Sequence, residues 1–192
     1  MRIVGGRLKG RALAPPPDET IRPTSDRARE ALFNILEHGS YKPGGGSVVT
    51  GARVLDAFAG TGAIGLEALS RGAVQATFIE AHQVVLPILA GNIKKLGETD
   101  RAAIIHADAR KPPRAAAPAD VAFLDPPYGK GLAVPALVAL VKAGWIGAAT
   151  LIIVEVAAKE VLELPAGFET LEERRYGAAR LMFARVADKM SM

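Results

Sequence analysis

Asp125-Pro126-Pro127-Tyr128 closes an apolar run, Ala119–Leu124, and its residue types suit one kind of chemistry. An amino group on an aromatic ring is a poor nucleophile because its lone pair is delocalised into the ring. Two fixed acceptors can take its two N–H groups, localise that pair and aim it at an electrophile. An ionised Asp125 only accepts, and the carbonyl of Pro126 is a second acceptor. The prolines fix their own φ and push the preceding residue into extended backbone, so both acceptors are held still. Tyr128 adds a flat face for stacking, worth roughly 1–3 kcal/mol per base in single-stranded recognition. Asp125, Pro126, Pro127 and Tyr128 are the expected catalytic set. Two prolines followed by a glycine also make an ordinary turn, so the surroundings must decide.

Val54 to Gly65 reads as a strand passing through a glycine turn into a helix. Gly60, Gly62 and Gly65 satisfy G-x-G-x-x-G, and Glu80 stands twenty residues after Gly60 at the end of the next strand-like run. Glycines here admit positive φ and let a ligand approach the backbone, and the carboxylate suits two ribose hydroxyls. The same outline serves a nicotinamide dinucleotide. Two further carboxylates favour S-adenosylmethionine. Asp56, just before the glycines, is awkward for a pyrophosphate and suitable for the ammonium of a methionine moiety. Asp108, after the third strand, can accept from an adenine amino group. Any one of these is equally a helix cap or a solvated loop residue. Three at successive strand ends mark the place where open α/β sheets bind ligands. The expected cofactor contacts are Asp56, Phe58, Gly60, Thr61, Gly62, Glu80, Asp108, Ala109 and Asp125. A sulfonium is already a strong electrophile, so positioning and fixed electrostatics suffice, with Asp125 or water taking the proton.

These residues need a sheet to carry them. Strand-like runs fall at 53–58, 75–80, 102–107, 120–125 and 150–156, with helical stretches at 62–71, 82–96 and 132–143. Pro87 weakens the second of these helices, because an interior proline removes a hydrogen bond. Alternation of this kind implies a mainly parallel sheet covered on both faces, an α/β fold. Runs at 168–175 and 179–186 flank Tyr176-Gly177 and read as a closing hairpin that adds an antiparallel strand to the sheet's edge. Before the first strand, Ala28, Ala31, Leu32, Ile35 and Leu36 repeat at helical spacing over 26–38, with Thr24 or Ser25 as cap and Gly39 as stop. Residues 2–4 and 7–13 flank Gly5-Gly6 as a short hairpin, separated from the rest by Pro15-Pro16-Pro17. The expected division is a basic hairpin arm over 1–20, a catalytic domain over 21–187 and a short tail over 188–192.

The chain of 192 residues contains no cysteine, which removes disulfides, thiolate metal sites and thiol nucleophiles. Three scattered histidines, His38, His82 and His106, make no metal set, so no metal is expected. No apolar stretch reaches the roughly 18 residues of a membrane span, and the basic start lacks the apolar core of a signal peptide. A cytoplasmic location is the expectation. The net charge is +4, and residues 1–30 hold seven Lys/Arg against four Asp/Glu, while the rest is nearly balanced. An excess at one end suits an anionic partner, although a solvated tail looks the same. Arg2, Arg7, Lys9 and Arg11 can meet phosphates, and Arg22 and Arg27 lead into the first helix beside the cofactor or nucleic-acid edge.

Four segments together resemble the small, single-domain bacterial 16S ribosomal RNA guanine-N2 methyltransferases, over nearly the whole chain. They are Arg2-Ile3-Val4-Gly5-Gly6-Arg7-Leu8-Lys9-Gly10-Arg11, Arg22-Pro23-Thr24-Ser25-Asp26-Arg27-Ala28-Arg29-Glu30, the glycine loop with Gly65-Leu66-Glu67-Ala68-Leu69-Ser70-Arg71-Gly72, and Asp125-Pro126-Pro127-Tyr128. The last is shared with DNA adenine and other amino methyltransferases, and the first two narrow the choice. His82 stands near where the family pattern has a second acidic residue after Glu80. The resemblance implies a Rossmann-like class I methyltransferase fold with a seven-stranded, mostly parallel sheet and one antiparallel strand. It also implies S-adenosylmethionine as cofactor, one guanine of 16S ribosomal RNA (guanine 966) as target, and an N-terminal hairpin that touches RNA. The expected substrate context is an assembling small ribosomal subunit, with the enzyme a monomer. Two alternatives stand beside this. One is a DNA adenine-N6 or protein amide methyltransferase, against which the chain has no room for a target-recognition domain. The other is a non-catalytic RNA-binding assembly factor, against which the glycine loop, Asp125 and Tyr128 are intact.

Overall fold

A computed structural model of the chain describes residues 1–16, 26–42 and 44–187. Seven strands form one sheet: β1 Arg53–Asp56, β2 Gln75–Glu80, β3 Ala102–His106, β4 Val121–Leu124, β5 Leu151–Ala157, β6 Phe168–Tyr176 and β7 Ala179–Val186. Their order is β3-β2-β1-β4-β5-β7-β6. Strands β1 to β5 pair in parallel, and β7 runs antiparallel to both β5 and β6. Six strands thus point one way and β7 the other, as the alternation and the terminal hairpin predict, although the antiparallel strand lies between β5 and β6 and not at the expected edge. The helices are α1 Asp26–His38, α2 Ala63–Ser70, α3 Leu86–Leu96 and α4 Ala133–Lys142. Among the described residues no helix is long and apolar enough to cross a membrane.

The pleat divides the core. Val54, Phe78, Phe123, Ile153 and Phe183 face α1, α2 and α3, with Phe33, Leu66, Leu69 and Leu89 packed against them. Their sequence neighbours Leu55, Ile79, Ala122, Leu124, Ile152 and Val154 face the other side, where Leu137 and Leu140 of α4 cover them. Each large side chain so buried contributes about 1.5–3 kcal/mol relative to exposure. Strands apolar on both faces are what a covered parallel sheet requires.

Two expectations are corrected. The second helix begins at Leu86, not His82, and Pro87 sits in its first turn, where no backbone N–H is needed. Residues 82–85 instead form a turn closed by Val85 N–H on the His82 carbonyl, 3.0 Å. The N-terminal hairpin is reduced to one antiparallel bridge, Arg2 with Ala12, around a 3-10 turn at Gly6–Leu8. Donors that a longer ladder would use are taken by α2. Val4 and Gly5 donate to the two oxygens of Glu67 at 2.9 and 2.7 Å, and Leu8 donates to the Ser70 hydroxyl at 2.9 Å. Ile3, Leu8 and Leu13 are buried in the core beside α1 and α2. The segment is docked along its length. Thr24 and Ser25, the expected caps of α1, lie outside the described residues, whereas Gly39 does end that helix, donating to Ile35 at 2.7 Å.

Candidate active site

Parallel strands deliver their carboxyl ends to one edge, and the sequence has placed its acids there. Asp56 is the last residue of β1, Glu80 the last of β2, Asp125 the first after β4, and Asp108 lies two residues past β3. Strands β3, β2, β1 and β4 are consecutive neighbours, so the four acids follow one another along the edge. Since Val54 and Phe123 face the α1–α3 side, the pleat carries Asp56 and Asp125 to that same side.

The glycine loop is fastened from below. Gly60 N–H donates to one oxygen of Glu80 and His82 N–H to the other, both at 2.7 Å. Each carboxylate oxygen has two acceptor positions, so one remains on each for a paired diol. Asp56 is buried under the loop, and its Oδ2 accepts Gly65 N–H at 3.0 Å. Burial pushes its carboxyl up to about 7, opposed by the Gly65 bond and aided by the nearby Glu80 charge. A positive charge at this point would therefore be well received. Gly62 has φ +84°, and a Cβ there would lie 2.4 Å from Leu89, while one on Gly65 would lie 2.3 Å from the Phe78 ring. Their spacing serves both the turn and the close seat of α2 on the sheet. At Gly60 a Cβ would meet no atom within 4 Å, so the mouth of the loop is open.

The other expected cofactor residues fall around this loop with different degrees of freedom. Thr61 is buried, its carbonyl accepting the Asn92 side-chain amide at 3.0 Å. Phe58 is half-buried against the α4-side core, and Ala109 is buried in that core. Asp108 is engaged by Arg110, whose guanidinium lies 2.5–3.0 Å from both carboxylate oxygens. That contact holds the Asp108 carboxyl below the usual range. An adenine amino group must share Asp108 with Arg110 or displace it.

The loop after β4 is built differently. Asp125 is half-buried and Pro126 buried, while Pro127 and Tyr128 are exposed. The Tyr128 hydroxyl donates to Glu155 Oε1 at 2.6 Å, and Gly129 N–H donates to Glu160 Oε2 at 3.0 Å. Neither glutamate belongs to a motif, and the sequence reading passed over both. Leu124 is the register partner of Val154, so the next residues along these two strands are Asp125 and Glu155.

The basic residues of the first segment lie elsewhere. Arg7 pairs with the buried Glu98 just past α3, and Arg11 donates to the Lys95 carbonyl at 2.9 Å. Since α3 runs back from the strand carboxyl ends, these cations and the exposed Lys9 lie toward the opposite edge. Arg2 pairs loosely with Asp26 at 3.5 Å, Arg27 is exposed, and Arg22 lies outside the described residues. Between the two edges stands a buried hub that sequence reasoning also missed. Glu67 pairs with Arg29 at 3.4 Å and Arg71 at 2.8 Å besides its two backbone donors. Asn92 likewise ties Ala14 to the glycine loop, accepting Ala14 N–H at 2.8 Å while donating to Thr61. The signal was a lone charge inside the otherwise apolar α2, Ala63–Ser70. A groove of about 750 Å³ beside Ile35, His38, Tyr41 and Arg185 contains none of the predicted site residues.

Residues 1–185 match the family model described as Conserved hypothetical protein 95. The chain is 38% identical to the ribosomal RNA small subunit methyltransferase D of Escherichia coli K12 over 156 residues, covering 81% of this chain and 74% of that protein. It is 35% identical to the protein of that name from Haemophilus influenzae over 181 residues, covering 92% and 89%. Its fold is similar to that of a putative methyltransferase from Escherichia coli, with a TM-score of 0.78 at 34% identity, covering 97% of this chain and 98% of that one.

Proposed function

Because the chain belongs to the family of Conserved hypothetical protein 95, together with the ribosomal RNA small subunit methyltransferase D proteins, we propose that it methylates an exocyclic amine of ribosomal RNA, the N2 of a guanine. The observation that carries this reading is a juxtaposition. Asp125-Pro126-Pro127-Tyr128 leaves β4 directly beside the β1 glycine loop, with Asp56 and Glu80 below it.

The residues fit S-adenosylmethionine. Glu80 offers one acceptor position on each oxygen to the ribose hydroxyls, Asp56 supplies negative charge for the ammonium, and the side-chain-free Gly60 lets the cofactor lie against backbone, while Gly62 gives the turn its positive φ. Asp108, Ala109, Phe58 and Thr61 would surround the remainder. When bound, S-adenosylmethionine presents a methyl group on a sulfonium, a strong electrophile that departs as a neutral thioether.

Asp125 and the Pro126 carbonyl accept the two N–H groups of the guanine amine and turn its lone pair toward that methyl group. As the N–C bond forms the nitrogen becomes acidic, and its proton passes to Asp125 or to water. Tyr128 stacks on the base, with its ring steadied by Glu155. The base must leave its stack to arrive there, which favours a loop or a partly assembled subunit as substrate. Lys9, Arg7 and Arg11 lie back along α3, so RNA reaching them would run over the α2–α3 side of the molecule and contribute salt-dependent affinity. The enzyme acts as a monomer in this reading.

The test is incubation with radiolabelled S-adenosylmethionine and naked 16S RNA, assembled small subunits or DNA. Label is expected in the ribosomal RNA of at least one arm. Label in DNA alone overturns the reading.

A further inference from the structure

Glu155 lies outside every motif, yet it stands beside the amine-binding acceptors. It is on β5, one position past the Leu124–Val154 pair, and hence next to Asp125 across strands about 5 Å apart. Its Oε1 accepts the Tyr128 hydroxyl at 2.6 Å, and Oε2 takes no part in that bond. Residues at matched positions of neighbouring parallel strands face the same side, so Glu155 and Asp125 share the face on which a base stacked on Tyr128 would lie.

We propose that Glu155 reads the Watson–Crick edge of the target base, accepting its N1–H, and thereby selects guanine over purines that lack that proton. The inference rests on the guanine-amine reading above and adds the residue that enforces it. The count of hydrogen-bond groups supports it. The guanine edge carries three N–H donors, two on N2 and one on N1. The protein offers three acceptors at the ends of two adjacent strands: Asp125, the Pro126 carbonyl and Glu155. Adenine has two such donors and a bare N1 lone pair, which would face a carboxylate with no proton between them. Leaving buried polar groups unpaired in this way is how a hydrogen-bonding site rejects a near-isostere. Burial raises the Glu155 carboxyl above its usual range, and the Tyr128 hydroxyl counters this by favouring the ionised, acceptor-only form.

The experiment uses an RNA fragment with guanine or 2-aminopurine at the target position. The analogue keeps the C2 amine and lacks N1–H. Wild-type protein should prefer guanine in kcat/KM by about ten- to a hundredfold, the worth of one charge-assisted hydrogen bond. Glu155→Gln, whose amide can donate to a bare N1, should lose activity on guanine and narrow the preference by about tenfold. Glu155→Asp keeps an acceptor and should keep the preference at lower kcat/KM. Tyr128→Phe removes the tether but not the carboxylate, and should leave the preference unchanged at mildly alkaline pH, where Glu155 is ionised without the tyrosine hydrogen bond. Equal wild-type activity on the two fragments overturns the proposal whether or not any variant folds. So does an unchanged preference in Glu155→Gln, or a Tyr128→Phe that narrows it equally, since Glu155 would then merely hold the ring. A wild-type protein that methylates the analogue but leaves guanine untouched also overturns it. Labelling at adenine or in DNA instead would remove the guanine-amine reading, and the proposal with it.

Discussion

Along one sheet edge, the carboxylates ending β1 and β2 are nearly sealed, Asp56 at 2% and Glu80 at 6% exposure, whereas Tyr128 in the loop after β4 stands at 37%. The first region is held by backbone: Gly60, Gly65 and His82 donate to those acids, and Gly62 and Gly65 leave no room for a Cβ against Leu89 and Phe78. The second is held by side chains reaching out from β5 and beyond, Glu155 to Tyr128 and Glu160 to Gly129. A cofactor presents the same shape at every turnover, so a prearranged seat loses nothing. In the proposed reading a base delivered by a large RNA must enter and leave, which suits a seat whose tyrosine is exposed. Charges under the glycine loop are therefore expected to govern affinity and stability, and those after β4 to govern turnover.

The largest expected effect lies in the frame behind the glycine loop. Glu67→Ala removes the carboxylate shared by Arg29, Arg71 and the backbone of Val4 and Gly5. Breaking a buried charge network of this kind costs about 3–5 kcal/mol. Denaturant unfolding should show that loss, and a variant as stable as wild type would mean the N-terminal segment is not anchored through α2.

Next is the open side. Asp125→Ala should lower kcat on the order of 10²–10³-fold, the range for removing one preorganised polar group. Calorimetry should find cofactor affinity close to wild type. Matching losses in both would dissolve the distinction between the two regions.

Much of this division was legible in the sequence. Period and punctuation placed all seven strands: β1 to β5 and β7 as mainly apolar runs, and the largely charged, exposed β6 as the partner of β7 across Tyr176-Gly177. The four strand-end acids, Asp56, Glu80, Asp108 and Asp125, came to one edge because parallel strands must end together. What escaped was long-range pairing. Apart from the i,i+4 pair of Glu67 with Arg71, the side chains of Glu67, Asn92, Glu155 and Glu160 act on partners 27 to 78 residues away, outside any local pattern. The basic arm misled for the opposite reason. Its charges were visible, but Ile3, Leu8 and Leu13, which bury it, look like any strand residues. Deleting residues 1–13 would thus remove core, and single charges are the better probe.

A smaller effect is pH-dependent. Burial places the Asp56 carboxyl at about 7, well above its value of 3.8 in the open chain. The folded protein therefore holds this proton where the unfolded chain has lost it, and the group's contribution to stability falls as pH rises from about 4 to about 7. Cofactor binding has the opposite sign, since an ammonium favours the ionised form. Affinity should fall as pH drops below about 7, by up to roughly tenfold per unit. Calorimetry with S-adenosylhomocysteine checks this, and Asp56→Asn should flatten the slope. A wild-type affinity indifferent to pH would place the ammonium elsewhere.

The smallest expected effect is on the back edge. Lys9→Ala should weaken RNA binding slightly and reduce its salt slope by about one, with activity at saturation unchanged. An unchanged slope would leave Lys9 a solvated charge.

The most direct test of the central claim is nucleoside analysis of 16S RNA after reaction with the wild-type protein and labelled S-adenosylmethionine. The account predicts N2-methylguanosine as the labelled nucleoside. Label on adenine, on a guanine ring nitrogen or on ribose would contradict it.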